Sequence, residues 1–136
     1  MKLSIVTTLY QSENTINKFH TRISSEAKKL VNIDYEIIYV NDCSPDKSLE
    51  KAIIIFKEDK QTKIIDLSKN FGHHKAIMTG LGHTSGDLVF LIDADLEEDP
   101  QYLNNFFSEI KKGNCDVIFG QQKIRRGNWF VRIFGT

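Results

Sequence analysis

The stretch Asp87-Leu88-Val89-Phe90-Leu91-Ile92-Asp93-Ala94-Asp95-Leu96-Glu97-Glu98-Asp99 decides the reading of this chain. A run of large apolar residues passes without a break into five acidic residues within seven positions. The apolar part, residues 87–92, has the length and composition of a strand. Its lack of polar alternation predicts burial on both faces, as in a parallel sheet. Asp93 and Asp95 flank Ala94, so in extended geometry their side chains project the same way. Two carboxylates that close stay ionised together at low cost only with a cation between them. Hard oxygen donors of this kind suit Mg²⁺ or Mn²⁺. The same residues also read as a solvated loop that starts a helix, with Asp99 capping ahead of Pro100 and Glu97 and Glu98 favouring a helix N-terminus. For a bare Asp-x-Asp that plainer reading leads. Its place directly after a buried strand turns the balance toward a metal site.

Outward from this stretch, strand-like and helix-like segments alternate. Leu3-Ser4-Ile5-Val6-Thr7-Thr8 is β-branched and predicts the first strand. Ser12 caps a helix to about Leu30, with Ile16, Phe19, Ile23, Ala27 and Leu30 at helical spacing. Residues 35–40 form the second strand, and Ser44-Pro45 opens a helix to about Glu58. Residues 63–67 form the third strand, followed by a polar loop and a short helix from His73 to about His83. Asp99-Pro100 starts a helix carrying Tyr102, Leu103, Phe106, Phe107 and Ile110, which Gly113 ends. Residues 116–119 are a fifth strand. The order βαβαβαβαβ predicts an α/β fold with a mostly parallel sheet and right-handed crossovers.

The 136 residues suit a single domain spanning positions 1–136. Lys plus Arg and Asp plus Glu both number 18, so nothing in the charge balance points to a nucleic-acid partner. Cys43 and Cys115 have no CxxC partner and read as free thiols of a reducing compartment. No signal peptide or membrane span is evident, which predicts a soluble, cytoplasmic chain. The final residues 127–136 are rich in large apolar side chains, where a natural terminus is usually polar. The sequence therefore reads as a truncated part of a longer protein.

Parallel α/β sheets bind ligands beyond the carboxyl ends of their strands. The first strand is followed by Thr7-Thr8-Leu9-Tyr10-Gln11-Ser12-Glu13-Asn14, which has no glycine. Neither a GxGxxG dinucleotide loop nor a GxxxxGK[ST] phosphate loop occurs anywhere in the chain, which argues against NAD-linked oxidoreductases and P-loop NTPases. A sugar nucleotidyltransferase would need a Gly-rich, Arg-containing loop here. A phosphatase with an Asp nucleophile would place its Asp-x-Asp after the first strand, not the fourth. His73 and His74 have no spacing that suits tetrahedral zinc. They read as a helix start near the pocket, and His20 and His83 read as surface residues.

Five segments in order carry a family resemblance: Ser4-Ile5-Val6 with Tyr10 and Glu13; residues 40–46, Val-Asn-Asp-Cys-Ser-Pro-Asp; residues 67–76, Leu-Ser-Lys-Asn-Phe-Gly-His-His-Lys-Ala; Gly86-Asp87; and Asp93-Ala94-Asp95-Leu96. Together they resemble the N-terminal, donor-binding part of family 2 glycosyltransferases of the Rossmann-like GT-A fold. Within that group the chain is most similar to polyprenyl-phosphate sugar transferases related to dolichol-phosphate mannose synthase. The resemblance implies a nucleotide-sugar-binding domain and inverting transfer from a nucleoside-diphosphate sugar, by family habit a UDP-sugar. The implied acceptor is a polyprenyl phosphate or a glycan in cell-envelope polysaccharide or glycolipid synthesis. It assigns Thr8, Tyr10, Glu13, Asp42, Lys69, Asn70, Asp93 and Ala94 to the donor nucleotide. It assigns Asp95, Asp93 and Glu97 to a Mn²⁺ or Mg²⁺ ion. Glu97 stands where close relatives often carry Gln.

Departures from the pattern are informative. Lys69 stands where the family often has Arg, which keeps the charge and loses the bidentate fork. Gln121 and Gln122 follow Gly120 where relatives show Arg, leaving Lys123, Arg125 and Arg126 as basic candidates for phosphate contact. Residues 129–134 with Arg125, Arg126 and Arg132 are amphipathic in composition. In a longer protein they would lie either at the inner face of a membrane or against the rest of the enzyme. A general base in such enzymes lies well beyond the Asp-x-Asp, so none is named here. A fold that binds nucleotide as a non-catalytic interaction domain is the alternative. Mutation of Asp95 separates it from a transferase.

Overall fold

The computed structural model describes residues 1–122 and 129–134, the latter as backbone. In chain order the elements are β1 (Lys2–Leu9), α1 (Ile16–Lys28), β2 (Asp34–Asn41), α2 (Ser48–Glu58) and β3 (Thr62–Asp66). They continue with α3 (His73–Gly82), β4 (Leu88–Leu91), α4 (Tyr102–Ile110), β5 (Val117–Gln122) and β6 (Trp129–Phe134). Strands β3-β2-β1-β4 form one parallel sheet in that order. Ile5 at its centre registers with Ile37 on one side and Phe90 on the other. The α/β class expected from the alternation of segments is the class observed.

Side-chain alternation along the strands divides the core in two. Ile5, Leu9, Ile37, Tyr39, Phe90 and Ile92 face α1, α2 and α4, where Phe19, Ile23, Ala52 and Leu103 are buried among them. Residues Ile16, Phe19, Ile23 and Ala27 recur at helical spacing and form the buried stripe of α1. Val6, Ile38 and Val40 point the other way, toward α3 and its Ala76. The approach of α3 is very close. A Cβ on Gly80 would lie 2.6 Å from Val6 Cγ1 and 2.9 Å from Val40 Cγ2, so only glycine fits.

Two expectations change. β4 is not buried on both faces: Phe90 and Ile92 are buried, whereas Val89 and Leu91 are each 44% exposed. β4 stands at one edge of the sheet, and α3 packs on β1 and β2, so the second face of β4 lies outside its cover. An apolar run reports the hydrophobicity of a strand and not how far a neighbouring helix reaches. The fifth strand also leaves the parallel order. β5 pairs antiparallel with β6, from Val117 opposite Phe134 to Gln122 opposite Trp129, in a separate two-stranded ribbon. Helix starts shift as well: α1 begins at Ile16 with Thr15 as N-cap, and α2 at Ser48 with Asp46 accepting the Ser48 amide.

At the amino edge of the sheet lies a buried ionic knot. Glu36 accepts hydrogen bonds from the Ser4 hydroxyl at 2.7 Å, the Ser85 amide at 2.8 Å and the Ser85 hydroxyl at 3.0 Å. Lys63 and Lys2 pair with it at 2.6 and 3.1 Å. Burial pushes the carboxyl upward, but Lys63, Ser4, Ser85 and Lys2 prevail and hold it well below the usual carboxylate range. His20 is not a plain surface residue. Its ring is half-buried between the Tyr39 hydroxyl at 2.8 Å and Asp59 at 3.1 Å.

Candidate functional site

All four sheet strands run the same way, so the loops after β1, β2, β3 and β4 meet at one edge. Among the described residues four non-glycine positions take positive φ: Gln11 (52°), Asn32 (60°), Cys43 (53°) and Leu96 (66°). Asparagine tolerates this conformation. The other three each bear a cost of about 1–2 kcal/mol, and all three lie on loops of the carboxyl edge. Strain of this kind concentrates where surrounding contacts over-determine a backbone for function.

Those contacts are visible. The first two loops are laced together: the Gln11 amide donates to Ser44 Oγ at 2.7 Å, Ser12 to Ser48 Oγ at 2.9 Å, and Glu13 to Asp46 Oδ2 at 3.1 Å. In return the Lys47 amide donates to Glu13 Oε2 at 3.1 Å. Desolvation pushes Asp46 up, but the Ser44 and Ser48 hydroxyls and the Ser48 and Glu13 amides outweigh it and bring the carboxyl to about 2. Asp42 is buried and fastens the third loop. Its two oxygens accept the Phe71 amide at 2.8 Å and the Gly72 amide at 3.1 Å. Gly72, at φ 96°, turns the chain into α3. Phe71 in turn carries the Lys69 ammonium 5.0 Å from its ring centroid.

The fourth loop holds the acidic residues. β4 stops at Leu91, and Ala94 and Asp95 form a turn, so the extended geometry expected for 93–95 is replaced by a bend. The segregation survives the bend: Ala94 is buried, Asp93 is partly exposed and Asp95 is exposed. Asp95 Oδ1 accepts the Glu97 amide at 2.9 Å, and Glu98 Oε2 accepts the Asp93 amide at 3.2 Å. Burial pushes the Glu98 carboxyl up. The Asp93 amide opposes this, while the charges of Asp93, Asp95 and Glu97 add to the rise. Asp99 is tied to Arg22 of α1 and accepts the Gln101 amide. Between loops, His73 Nδ1 lies 3.2 Å from Thr8 Oγ1, and its Nε2 lies 3.7 Å from Asp93 Oδ1.

Among the described residues no three His, Cys, Asp or Glu side chains converge as a ready-made metal cage. Asp93 and Asp95 form no ion pair with Lys or Arg among the described residues. Two accessible carboxylates on one turn fit Mg²⁺ or Mn²⁺, which complete their shells with water and substrate phosphates. Of the residues the sequence singled out, Tyr10, Lys69, Asn70, Asp95 and Glu97 are exposed at this edge, and Thr8 and Asp93 are partly so. Asp42 and Glu13 have side-chain oxygens committed to loop amides. Lys123, Arg125 and Arg126 lie outside the described residues. Nothing local in the sequence links His73 to Thr8 or Asp93 or marks the Ser44–Asp46–Ser48 lacing as part of the site. The Ser and Asp repeat after β2 is the one local sign of the lacing itself.

The family described as Glycosyl transferase family 2 matches residues 4–135. The chain belongs to glycosyltransferase family 2. A protein of Mycobacterium tuberculosis named among putative glycosyltransferases is 50% identical over 135 residues, covering 99% of this chain and 39% of that protein. An undecaprenyl-phosphate 4-deoxy-4-formamido-L-arabinose transferase of Proteus mirabilis is 35% identical over 132 residues, 95% of this chain and 39% of that one. The chain thus spans about two fifths of these family members. The crystal structure of S. aureus TarS 1-349 in complex with UDP superposes with a TM-score of 0.60 at 25% identity, covering 82% of this chain and 32% of that one. A mannosyltransferase of Pyrobaculum calidifontis, in complex with GDP-Man and Mn²⁺, shares the fold at 18% identity, with a TM-score of 0.59 over 68% of this chain and 27% of that chain.

Proposed function

We propose that residues 1–136 form the donor-binding domain of an inverting, metal-dependent glycosyltransferase. It takes a nucleoside-diphosphate sugar, by this reading a UDP-sugar, and delivers the sugar to a polyprenyl phosphate or glycan in cell-envelope synthesis. The observation that carries the proposal is the placement of Asp93 and Asp95. They stand at the carboxyl edge of a parallel sheet, without a Lys or Arg partner among the described residues, beside loops whose strained backbones are held in place by neighbouring loops. UDP bound to the TarS structure supports the nucleotide. The undecaprenyl phosphate in the name of the Proteus relative supports a lipid-phosphate acceptor, and this reading places the transfer in the cytoplasm at the inner membrane face.

In this proposal Asp95 and Asp93 hold the ion, with Glu97 beside them. When bound, the ion supplies a Lewis acid that offsets charge gathering on the departing diphosphate. Thr8, Tyr10, Lys69 and Asn70 line the donor, with Lys69 held over Phe71 so that its ammonium faces anionic substrate. Glu13 and Asp42 act through the loops they fix, and Ala94 sets the turn that separates the two aspartates. A lipid-phosphate acceptor is already anionic and attacks without a general base, whereas a hydroxyl acceptor needs one. Calorimetric titration of UDP with Mn²⁺, and then with EDTA, tests the reading. Metal-dependent binding that Asp95→Asn abolishes is expected. Equal binding by wild type and Asp95→Asn would instead favour a non-catalytic nucleotide-binding module.

A further inference from the structure

His73 is absent from the donor and metal sets above, yet it is the side chain that joins them. It opens α3 immediately after Gly72, and its backbone is fixed from below because Asp42 holds the Phe71 and Gly72 amides. From there the ring faces two loops at once: Nδ1 is within hydrogen-bond distance of Thr8 at the end of β1, and Nε2 lies 3.7 Å from Asp93 after β4, near but beyond hydrogen-bond distance. A threonine hydroxyl can donate to an unprotonated ring nitrogen. If Thr8 donates to Nδ1, the ring proton sits on Nε2, the nitrogen that faces Asp93 Oδ1. Carboxylates that hold metal ions are in general hydrogen-bonded by outer groups that orient them, and loss of such a group typically costs about 10–100-fold in metal affinity or activity. His74 is exposed on the next position, its ring centroid 5.8 Å away, and no hydrogen bond or ion pair links it to either loop among the described residues.

The geometry points to His73 as a positioning residue: Thr8 fixes its Nε2–H tautomer, and that N–H aims Asp93 at the cation. At 3.7 Å the Nε2–H would steer Asp93 by charge and by a hydrogen bond that a small side-chain rotation completes. The inference rests on the donor-site reading above. It also separates two functions that share one loop. Nucleotide contacts by Tyr10 and Lys69 need no help from His73, whereas the metal does.

The test is Mn²⁺ binding followed by electron paramagnetic resonance at fixed UDP, with UDP binding in EDTA measured alongside and circular dichroism confirming the fold. His73→Ala is expected to weaken Mn²⁺ binding about tenfold or more, and by a clearly larger factor than it changes UDP binding in EDTA. His73→Gln places an amide N–H near the position of Nε2 and recovers most of the affinity; His73→Asn is too short and does not. Imidazole ¹⁵N NMR of the metal-free protein shows the Nε2–H tautomer of His73, and Thr8→Val mixes the tautomers. Wild-type Mn²⁺ affinity in His73→Ala, or an unchanged tautomer in Thr8→Val, overturns the assignment alone. If the wild type shows no metal-dependent UDP binding, the donor-site reading falls and takes this assignment with it.

Discussion

Replacing Glu36 by Gln tests whether the ionic knot at the amino edge holds the sheet together. The substitution keeps the volume and removes the charge. Three hydrogen bonds, from Ser4 Oγ, Ser85 N and Ser85 Oγ, fall from charge-assisted to neutral. Each loses about 1 kcal/mol on that account. Lys2 and Lys63 lose their counter-ion, but their side chains are 32% and 51% exposed and recover water. The loss therefore stays below the roughly 3–5 kcal/mol typical of breaking a fully buried pair. We expect a total of about 2–3 kcal/mol, a large share of the ~5–15 kcal/mol available to a domain, and a urea midpoint lowered by about 1 M. The pH dependence has a definite sign. Glu36 in the folded protein titrates below its unfolded value, so its contribution is fully present above about pH 4.3 and is lost as pH falls toward the folded value. The gap between wild type and variant should hold from neutral pH to about pH 5, and narrow by about 1.5–2 kcal/mol near pH 3. Urea denaturation of both proteins at each pH measures it. A gap under about 0.5 kcal/mol at neutral pH, within the usual range for surface substitutions, would refute the reasoning. So would a gap indifferent to acid. UDP affinity of the folded variant should not change, because the knot lies at the opposite edge from the site.

Thr7 is fully buried in β1 with its hydroxyl lacking a partner among the described residues, so Thr7→Val should raise stability by about 1 kcal/mol in chemical denaturation. Gly80→Ala gains about 1 kcal/mol of helix propensity but drives a methyl into Val6 and Val40. Overpacking of about 1–3 kcal/mol should win, giving a lowered Tm and a loosened α3. Burial holds the His20 pKa below its usual value against the pull of Asp59, so its folded form binds protons less readily than the unfolded chain. Stability from this residue is complete above about pH 6.5 and declines as pH falls through the lowered folded value. His20→Gln should flatten the Tm profile over that window.

The parallel α/β frame was legible because it depends on local pattern. The stripe Ile16, Phe19, Ile23, Ala27 and the β-branched strands carry their periodicity openly, and the core they predict is the core observed. What escaped depends on contacts between segments distant in sequence. Val89 and Leu91 look as apolar as Phe90, and only the lateral position of α3 tells them apart. Val117 to Phe119 is strand-like in any sheet, and nothing local states that its partner runs antiparallel. His20 has the composition of a surface residue until Tyr39 and Asp59 are folded against it. At the site the Asp-x-Asp was readable as chemistry, but its support was not. The Asp42 clamp spans 29 and 30 residues, and the Thr8–His73 contact spans 65.

The two edges of the sheet treat acidic groups in opposite ways, and this contrast supports the proposed function more strongly than the acidic residues alone. At the amino edge a single buried carboxylate receives two lysines and three hydrogen bonds, more than its charge requires. At the carboxyl edge five acidic residues share one loop, and the basic contacts described there are Arg22 on Asp99 and His73 near Asp93. The chain as a whole is neutral, with 18 basic and 18 acidic side chains, so basic residues were available to balance that loop. Among the described residues no Lys or Arg pairs with Asp93, Asp95, Glu97 or Glu98, and Glu98 is pushed upward by burial and by the charges of Asp93, Asp95 and Glu97. A structural loop would relieve that repulsion with a lysine. A loop that must receive a divalent cation together with an anionic diphosphate gains from keeping it, because binding the ion releases the repulsion and the ion then bridges protein to substrate. On this argument, placing a lysine at Glu97 or Glu98 should stabilise the free protein and weaken its Mn²⁺ binding. Stabilisation without loss of metal affinity would count against the site.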